Sequence, residues 1–343
     1  MNIQKAWVYP RATEHIDDMV RLIKRLMEKG FAYKTGDGIY FRVEKFRDYG
    51  RFANIDMKGL KVGVRVKSDE YDKEGVADFA LWKFWDEEDG DVFWETEIGK
   101  GRPGWHIECS AMSMKYLGET FDIHTGGVDL IFPHHQNEIA QSEAATGKRF
   151  VNYWVHNEHL LVDNKKMSKS LGNFYTLRDI LKRGYNPMAI RYLLLSTHYR
   201  QKLNFTFEGL KAAEGVIERF TEFVMNVKRG KDNEKTYAAA RRAEEGFRKA
   251  MDDDLDMPKA LSFVFGFIKE VNKVGGGKKA YETILNFDRV LGLRLGEIKE
   301  LWKGVEEAPE WLRKLIEERE EYRRRKEFPK ADKIRKELRE RGI

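Results

Sequence analysis

Two groups of residues in this chain could do chemistry. Cys109, His134 and Glu138 offer a sulfur, a nitrogen and an oxygen donor, and Lys166-Met167-Ser168-Lys169-Ser170 places two flexible cations in a polar stretch. His134 and Glu138 are four apart, so on a predicted helix both project from one face and can grip one ion, while His135 points about 100° away. Cys109, on a preceding predicted helix, completes a donor set that suits zinc better than magnesium or calcium. Three protein ligands leave a coordination position open for water or substrate. Taken alone, the His-x-x-x-Glu pair is also an ordinary helix-surface contact and the cysteine an ordinary core residue. The pentapeptide, followed by Leu171-Gly172-Asn173, falls where a polar loop should follow the apolar run Tyr153-Trp154-Val155. Its lysines could close over a triphosphate, although the same composition also describes a plain solvated turn.

The chain has 343 residues, enough for two or three domains, and a mean hydropathy of −0.64, too polar for a membrane span. A start of Met1-Asn2-Ile3-Gln4-Lys5 has no apolar stretch or cleavage site of a secretory signal, which points to a cytoplasmic protein. One cysteine excludes an intramolecular disulfide. The net charge of +6 permits a polyanionic partner without requiring one.

These residues must be positioned by an α/β scaffold. Residues 13–29 read as a helix that Thr13 can cap, with Ile16, Met19, Val20, Ile23, Leu26 and Met27 on one face and Gly30 at its end. From Phe31 to about Gly101 short alternating runs such as Ile39-Tyr40-Phe41-Arg42-Val43 predict a small β-rich insertion. Trp105–Tyr116 is helical in period, Phe121–His124 a short strand, Pro133–Ala145 a helix and Tyr153–His156 another strand. That alternation implies a parallel layer with ligands at the carboxyl ends of its strands, where His124, Gly126, Gly127, Asp129 and His156 would lie. After Arg229–Lys235 the chain reads as helical, with Asp252–Pro258 opening one helix. Thirteen basic against eight acidic residues from Leu312 to Ile343 make an anion-facing surface or a solvated helix pair.

Along nearly its whole length the chain resembles the cysteinyl-tRNA synthetases, a class I aminoacyl-tRNA synthetase family. The matching runs are Arg11–Ile16, Phe79–Lys83, Gly101–Ser110, Phe132–Glu138 and the lysine-serine loop, in family order. The resemblance implies a Rossmann-like catalytic domain (second half) with a small β-rich insertion, followed by an all-α anticodon-binding domain. It divides the chain into a partial catalytic domain at 1–30 and 102–175, a connective insertion at 31–101, a stem-contact region at 176–230 and an anticodon-binding domain at 231–343. It further implies that Cys109, His134 and Glu138 bind a zinc ion that receives the cysteine thiol, with Trp105 and His124 lining the amino-acid pocket. Lys166 and Lys169 would assist the phosphates of ATP, supplied with magnesium, and Gly126, Gly127, Asp129 and His156 would serve the substrate and ATP site. A metal–sulfur bond separates cysteine from serine by donor softness, so no editing domain is needed.

The family's opening strand and helix, with a His-Ile-Gly-His type signature and an early zinc-ligating cysteine, have no counterpart here, nor has its C-terminal tail. The expected activity is therefore that of an incomplete cysteine–tRNA ligase with little stand-alone turnover, acting on cysteine, ATP and the cysteine tRNA, and the chain is either a truncated product of a full enzyme or a fragment that pairs with a separate N-terminal fragment. The alternatives are a non-catalytic tRNA- or zinc-binding fragment or paralogue, and a ligase joining cysteine to an amino sugar. The long helical region argues against the last.

Overall fold

The computed structural model describes residues 1–55, 77–298, 310–325 and 327–340. Residues 56–76 of the expected insertion and 299–309 of the expected helical region lie outside the described residues. Two compact units emerge: Gln4–Leu160 with Tyr199–Leu203, and Met1–Ile3 with Leu161–His198 and Asn204–Ile343.

The first unit begins with α1 (Ile16–Glu28), whose apolar stripe Ile16, Met19, Val20, Ile23 and Leu26 is buried as its spacing demands. Thr13 does not cap it. A 3₁₀ turn over Ala12–Glu14 intervenes, and His15 stands at the N-cap without a side-chain cap, its ring held instead by Arg11 O (2.7 Å) and the Tyr116 hydroxyl (2.8 Å). Gly30, at φ 76°, turns the chain out of the helix. Strands β1 (Ala32–Lys34), β2 (Gly38–Phe41), β3 (Phe79–Phe84) and β4 (Gly101–Pro103) pair antiparallel in that order.

The sheet does not have a core of its own. Ile39, Phe41, Leu81 and Trp82 pack in one cluster with the α1 stripe, with Ile107 and Ala111 of α2 (Trp105–Leu117), and with Ala140, Ala144 and Ala145 of α3 (Gln136–Thr146). Small alanines on α3 let it approach closely. The α/β expectation is met beside it. β5 (Phe121–Gly127) runs parallel to β6 (Val151–Asn157), in register from Phe121↔Val151 to Gly127↔Asn157, and α3 makes the crossover. β5 is longer than expected, so His124 lies in mid-strand, while Gly126, Gly127 and His156 do fall at the carboxyl ends.

In the second unit, β7 (Leu160–Val162) and β8 (Lys165–Lys166) form a hairpin turned by Asp163 and Asn164, both at positive φ. The lysine-serine loop leaves this hairpin rather than following β6 directly. A short β9 (Leu203–Phe205) bonds beside it through the Asp163 amide and Phe205 O. Then come α4 (Leu177–Lys182), α5 (Pro187–Leu195), α6 (Phe207–Arg229), α7 (Glu234–Asp252), α8 (Met257–Val274), α9 (Lys278–Leu291), α10 (Glu310–Arg324) and α11 (Phe328–Glu340). Phe220, Phe223, Phe267 and Phe287 fill a single helical core. Asp256 caps α8 at the Lys259 amide, as the Asp252–Pro258 run predicts. Arg319 and Arg323 of α10 pair with Glu222 of α6, so part of the C-terminal basic excess is spent internally.

Candidate active site

The metal-binding atoms of Cys109, His134 and Glu138 lie within 4.8 Å of one another. Two helices bring them there. α2 carries Cys109 in its second turn, and α3 carries Glu138 in its first; a buried polar seam fixes their register, with Ser110 Oγ accepting from Gln141 Nε2 (2.6 Å) and meeting Ser142 Oγ (2.9 Å). His134 comes from the segment Ile131–His135 ahead of α3, which is kinked at the extended Phe132 (φ −138°, ψ 133°) and contains a cis Phe132–Pro133 bond. His135 lies about 100° around the helix from His134, but it stands three residues before Glu138 and so also comes within reach of that carboxylate. Its Nε2 is 4.0 Å from Glu138 Oε1.

Glu138 is fully buried. Its Oε2 accepts from His124 Nε2 at 2.9 Å. His134 Nε2 is also 2.9 Å from Oε1, yet Oε1 receives no well-directed hydrogen bond among the described residues. An unsatisfied buried acceptor of this kind costs about 1–3 kcal/mol, more when charged, which a cation would offset. The sulfur, nitrogen and oxygen set fits zinc. Outer partners also suit a metal site: His134 Nδ1 is engaged by His106 Nδ1 at 2.7 Å, which fixes the ring and leaves Nε2 for an ion.

The electrostatics follow from burial. Burial first, then the negative charges of Glu138 and Glu108, push the Cys109 thiol up to about 12. Burial would also raise Glu138, but the hydrogen bond from His124, the close approach of the His134 ring and the charges of both outweigh it and leave the carboxyl at about 2. His106 falls to about 3 through burial and the neighbouring His134. His135 falls to about 4, chiefly through burial, against the pull of Glu138. Around the carboxylate, therefore, a neutral thiol and neutral outer imidazoles await a cation.

Among the other expected residues, Trp105 is exposed and sets its ring 4.3 Å from that of His134. His124 stacks on Trp154, centroids 4.6 Å apart. Gly126 is needed for close approach, since a Cβ there would sit 2.6 Å from Cε1 of His135. Asp129 is exposed on a 3₁₀ turn just beyond β5. His156 joins this group through a 2.7 Å contact of its Nε2 with His135 Nδ1. Sequence reasoning gave no role to His106, His135, Trp154 or Gln141. The spacing of His106, three residues before Cys109 on one helix, was a usable signal for the first.

In the second unit the lysine-serine loop is a closed turn. Asn173 fastens both ends, its Oδ1 accepting from the Ser168 amide (2.9 Å) and its Nδ2 donating to Lys166 O (3.1 Å). Ser168 Oγ accepts from the Leu171 amide at 3.2 Å, and Gly172 takes φ 66°. Lys166 and Lys169 are exposed, and the Lys169 ammonium lies 5.8 Å from the centre of the Phe174 ring. Two cations are thus presented from an ordered backbone.

Comparison with known proteins agrees with this chemistry. The model of the tRNA synthetases class I (C) catalytic domain matches residues 1–215, and that of the DALR domain matches residues 246–296. The chain is 46% identical to the cysteine–tRNA ligase of Brachyspira hyodysenteriae over 358 residues, covering 100% of this chain and 75% of that protein. It is 45% identical to the cysteine–tRNA ligase of Thermococcus gammatolerans over 363 residues, again covering 100% of this chain and 75% of the relative. A separate N-terminal fragment finds no support in these comparisons. The methionyl-tRNA synthetase of Mycobacterium tuberculosis, solved with methionyl-adenylate, shares the fold at a TM-score of 0.56 and 15% identity, over 78% of this chain and 66% of that one. The fold is thus a Rossmann-like class I catalytic domain followed by a helical DALR domain. Among the described residues no helix is long and apolar enough to cross a membrane.

Proposed function

From the premise that this chain belongs to the cysteine–tRNA ligase family, we propose how its residues divide the work of that reaction. Cysteine and ATP give cysteinyl-adenylate and pyrophosphate, and the terminal ribose hydroxyl of the cysteine tRNA then displaces AMP. The observation that carries the division is the meeting of Cys109, His134 and the buried Glu138 at one point. Zinc held there would supply a borderline-soft Lewis acid that prefers a sulfur to a hydroxyl ligand, and hence cysteine to serine. His106 holds the His134 ring, so that Nε2 keeps its aim. Trp105 and His124 wall the amino-acid pocket. Gly126, Gly127, Asp129 and His156, at the ends of the parallel strands, serve the substrate and the adenosine.

Lys166 and Lys169 neutralise the charge that develops on the phosphates of ATP, which enters with magnesium. Residues 1–30 and 102–175 form the catalytic portion, 31–101 the connective insertion, 176–230 the stem-contact region and 231–343 the anticodon-binding domain. The reaction takes place in the cytoplasm. Titration of the zinc-loaded chain with L-cysteine and L-serine tests this reading. Cysteine binding that disappears in Glu138→Gln, with serine at least about a hundredfold weaker, is expected from softness discrimination. Equal binding of the two amino acids would overturn the assigned role of the metal.

A further inference from the structure

Glu138 faces a second set of donors on its other side. His124, His135 and Glu138 bring two imidazole nitrogens and a carboxylate oxygen within 4.8 Å of one another. This set repeats the construction of the first. His134 has its Nδ1 engaged by His106 and its Nε2 turned to the carboxylate; His135 has its Nδ1 engaged by His156, at the same 2.7 Å, and its Nε2 turned to the same carboxylate. Outer hydrogen bonds of this type fix the tautomer and aim of a metal-binding imidazole, and a ring buried only for packing has no need of one on that side. Trp154 packs on both rings, at 4.6 Å from His124 and 4.7 Å from His135, while Gly126 leaves the room that the His135 ring occupies. Oε1 of Glu138, the atom without a directed hydrogen bond, lies 2.9 Å from His134 Nε2 and 4.0 Å from His135 Nε2.

We propose that Glu138 serves two alternative metal seats, one completed by Cys109 and His134 and the other by His124 and His135, with a single divalent ion at a time. Two dications beside one buried carboxylate would leave excess positive charge in a medium that solvates it poorly, which makes the seats exclusive. The sulfur-containing seat favours zinc. The nitrogen-oxygen seat takes borderline ions that accept imidazole and carboxylate, such as cobalt(II), nickel(II) and zinc itself. It is filled whenever Cys109 cannot ligate. This goes beyond the ligase reading, which concerns only the first seat.

Cobalt(II) binding to the whole chain tests the proposal, because a cobalt–thiolate bond gives a charge-transfer absorption that nitrogen and oxygen ligands lack. Wild type should bind one cobalt with that absorption. Cys109→Ala should still bind one cobalt, without it and with the ligand-field bands displaced. Adding His134→Ala to Cys109→Ala should leave that binding within a few-fold, whereas adding His124→Ala or His135→Ala should weaken it by at least about tenfold. The reverse order, with His134 essential and His124 and His135 dispensable, would overturn the proposal, as would loss of all cobalt binding in a Cys109→Ala protein whose thermal unfolding is unchanged. His124 lies at a part-exposed site, so its variant keeps the test open should His135→Ala fail to fold.

Discussion

The Cys109 thiol sets a pH dependence for zinc that can be worked out from the structure. Buried and flanked by the Glu138 and Glu108 charges, it is held at about 12, so it is neutral at physiological pH. Zinc binds the thiolate, and each ion bound through Cys109 must therefore expel a proton. At pH near 7.5 the ionisation costs about 6 kcal/mol, at 1.36 kcal/mol for each pH unit below the thiol's midpoint, and the metal–sulfur bond must exceed that. The sign follows directly. Raising the pH lowers the cost, so affinity climbs about tenfold per pH unit, with no plateau before the thiol itself titrates. Glu138, at about 2, is already ionised and contributes no slope. Competition against a chromophoric chelator of known pH behaviour, from about pH 7.5 to about pH 9, should give a log–log slope near one, and calorimetry in buffers of differing ionisation enthalpy should count about one proton released. In Cys109→Ser both the slope and the proton should vanish. A flat wild-type profile, or the same slope in Cys109→Ser, would refute the assignment of the thiol as a ligand.

Three further outcomes are expected. Lys169→Ala should lower cysteine-dependent ATP–pyrophosphate exchange by about a hundredfold or more if its cation stabilises developing phosphate charge, and Asn173→Ala, which unfastens the loop at Ser168 and Lys166, should lower it less; equal rates in all three proteins would discharge the loop from catalysis. Gly126→Ala would place a methyl 2.6 Å from the buried His135 ring and should cost about 1–3 kcal/mol of stability, measured by urea unfolding of the metal-free chain, where an unchanged midpoint would show that the ring moves freely aside. Binding of the cysteine tRNA should fall with salt at a log–log slope of about −0.7 to −0.9 per phosphate neutralised, read by anisotropy, and salt-independent binding would deny the basic helices a role.

What the sequence revealed and what it concealed divide along the reach of local rules. The α1 stripe, the α8 cap and the parallel β5–β6 pair were legible because period and turn chemistry act over a few residues, and burial of those apolar faces has one solution. The meeting of Cys109, His134 and Glu138 was legible by donor type and helical spacing. His135 was set aside because only its angle to His134 was weighed, although a residue three before Glu138 shares a helix face with it. The partners His106 and His156 were hidden for a different reason: a tie from α2 to His134, and another from β6 to His135, exist only once the strands and helices are stacked. The sequence therefore shows which side chains can hold an ion, while the choice between the two sides of Glu138 depends on contacts between elements far apart in the chain. One carboxylate with two engaged imidazoles turned toward it and a thiol nearby is a property of the packed layer, and it is at this level that substitutions of outer histidines should shift metal preference without touching a ligand.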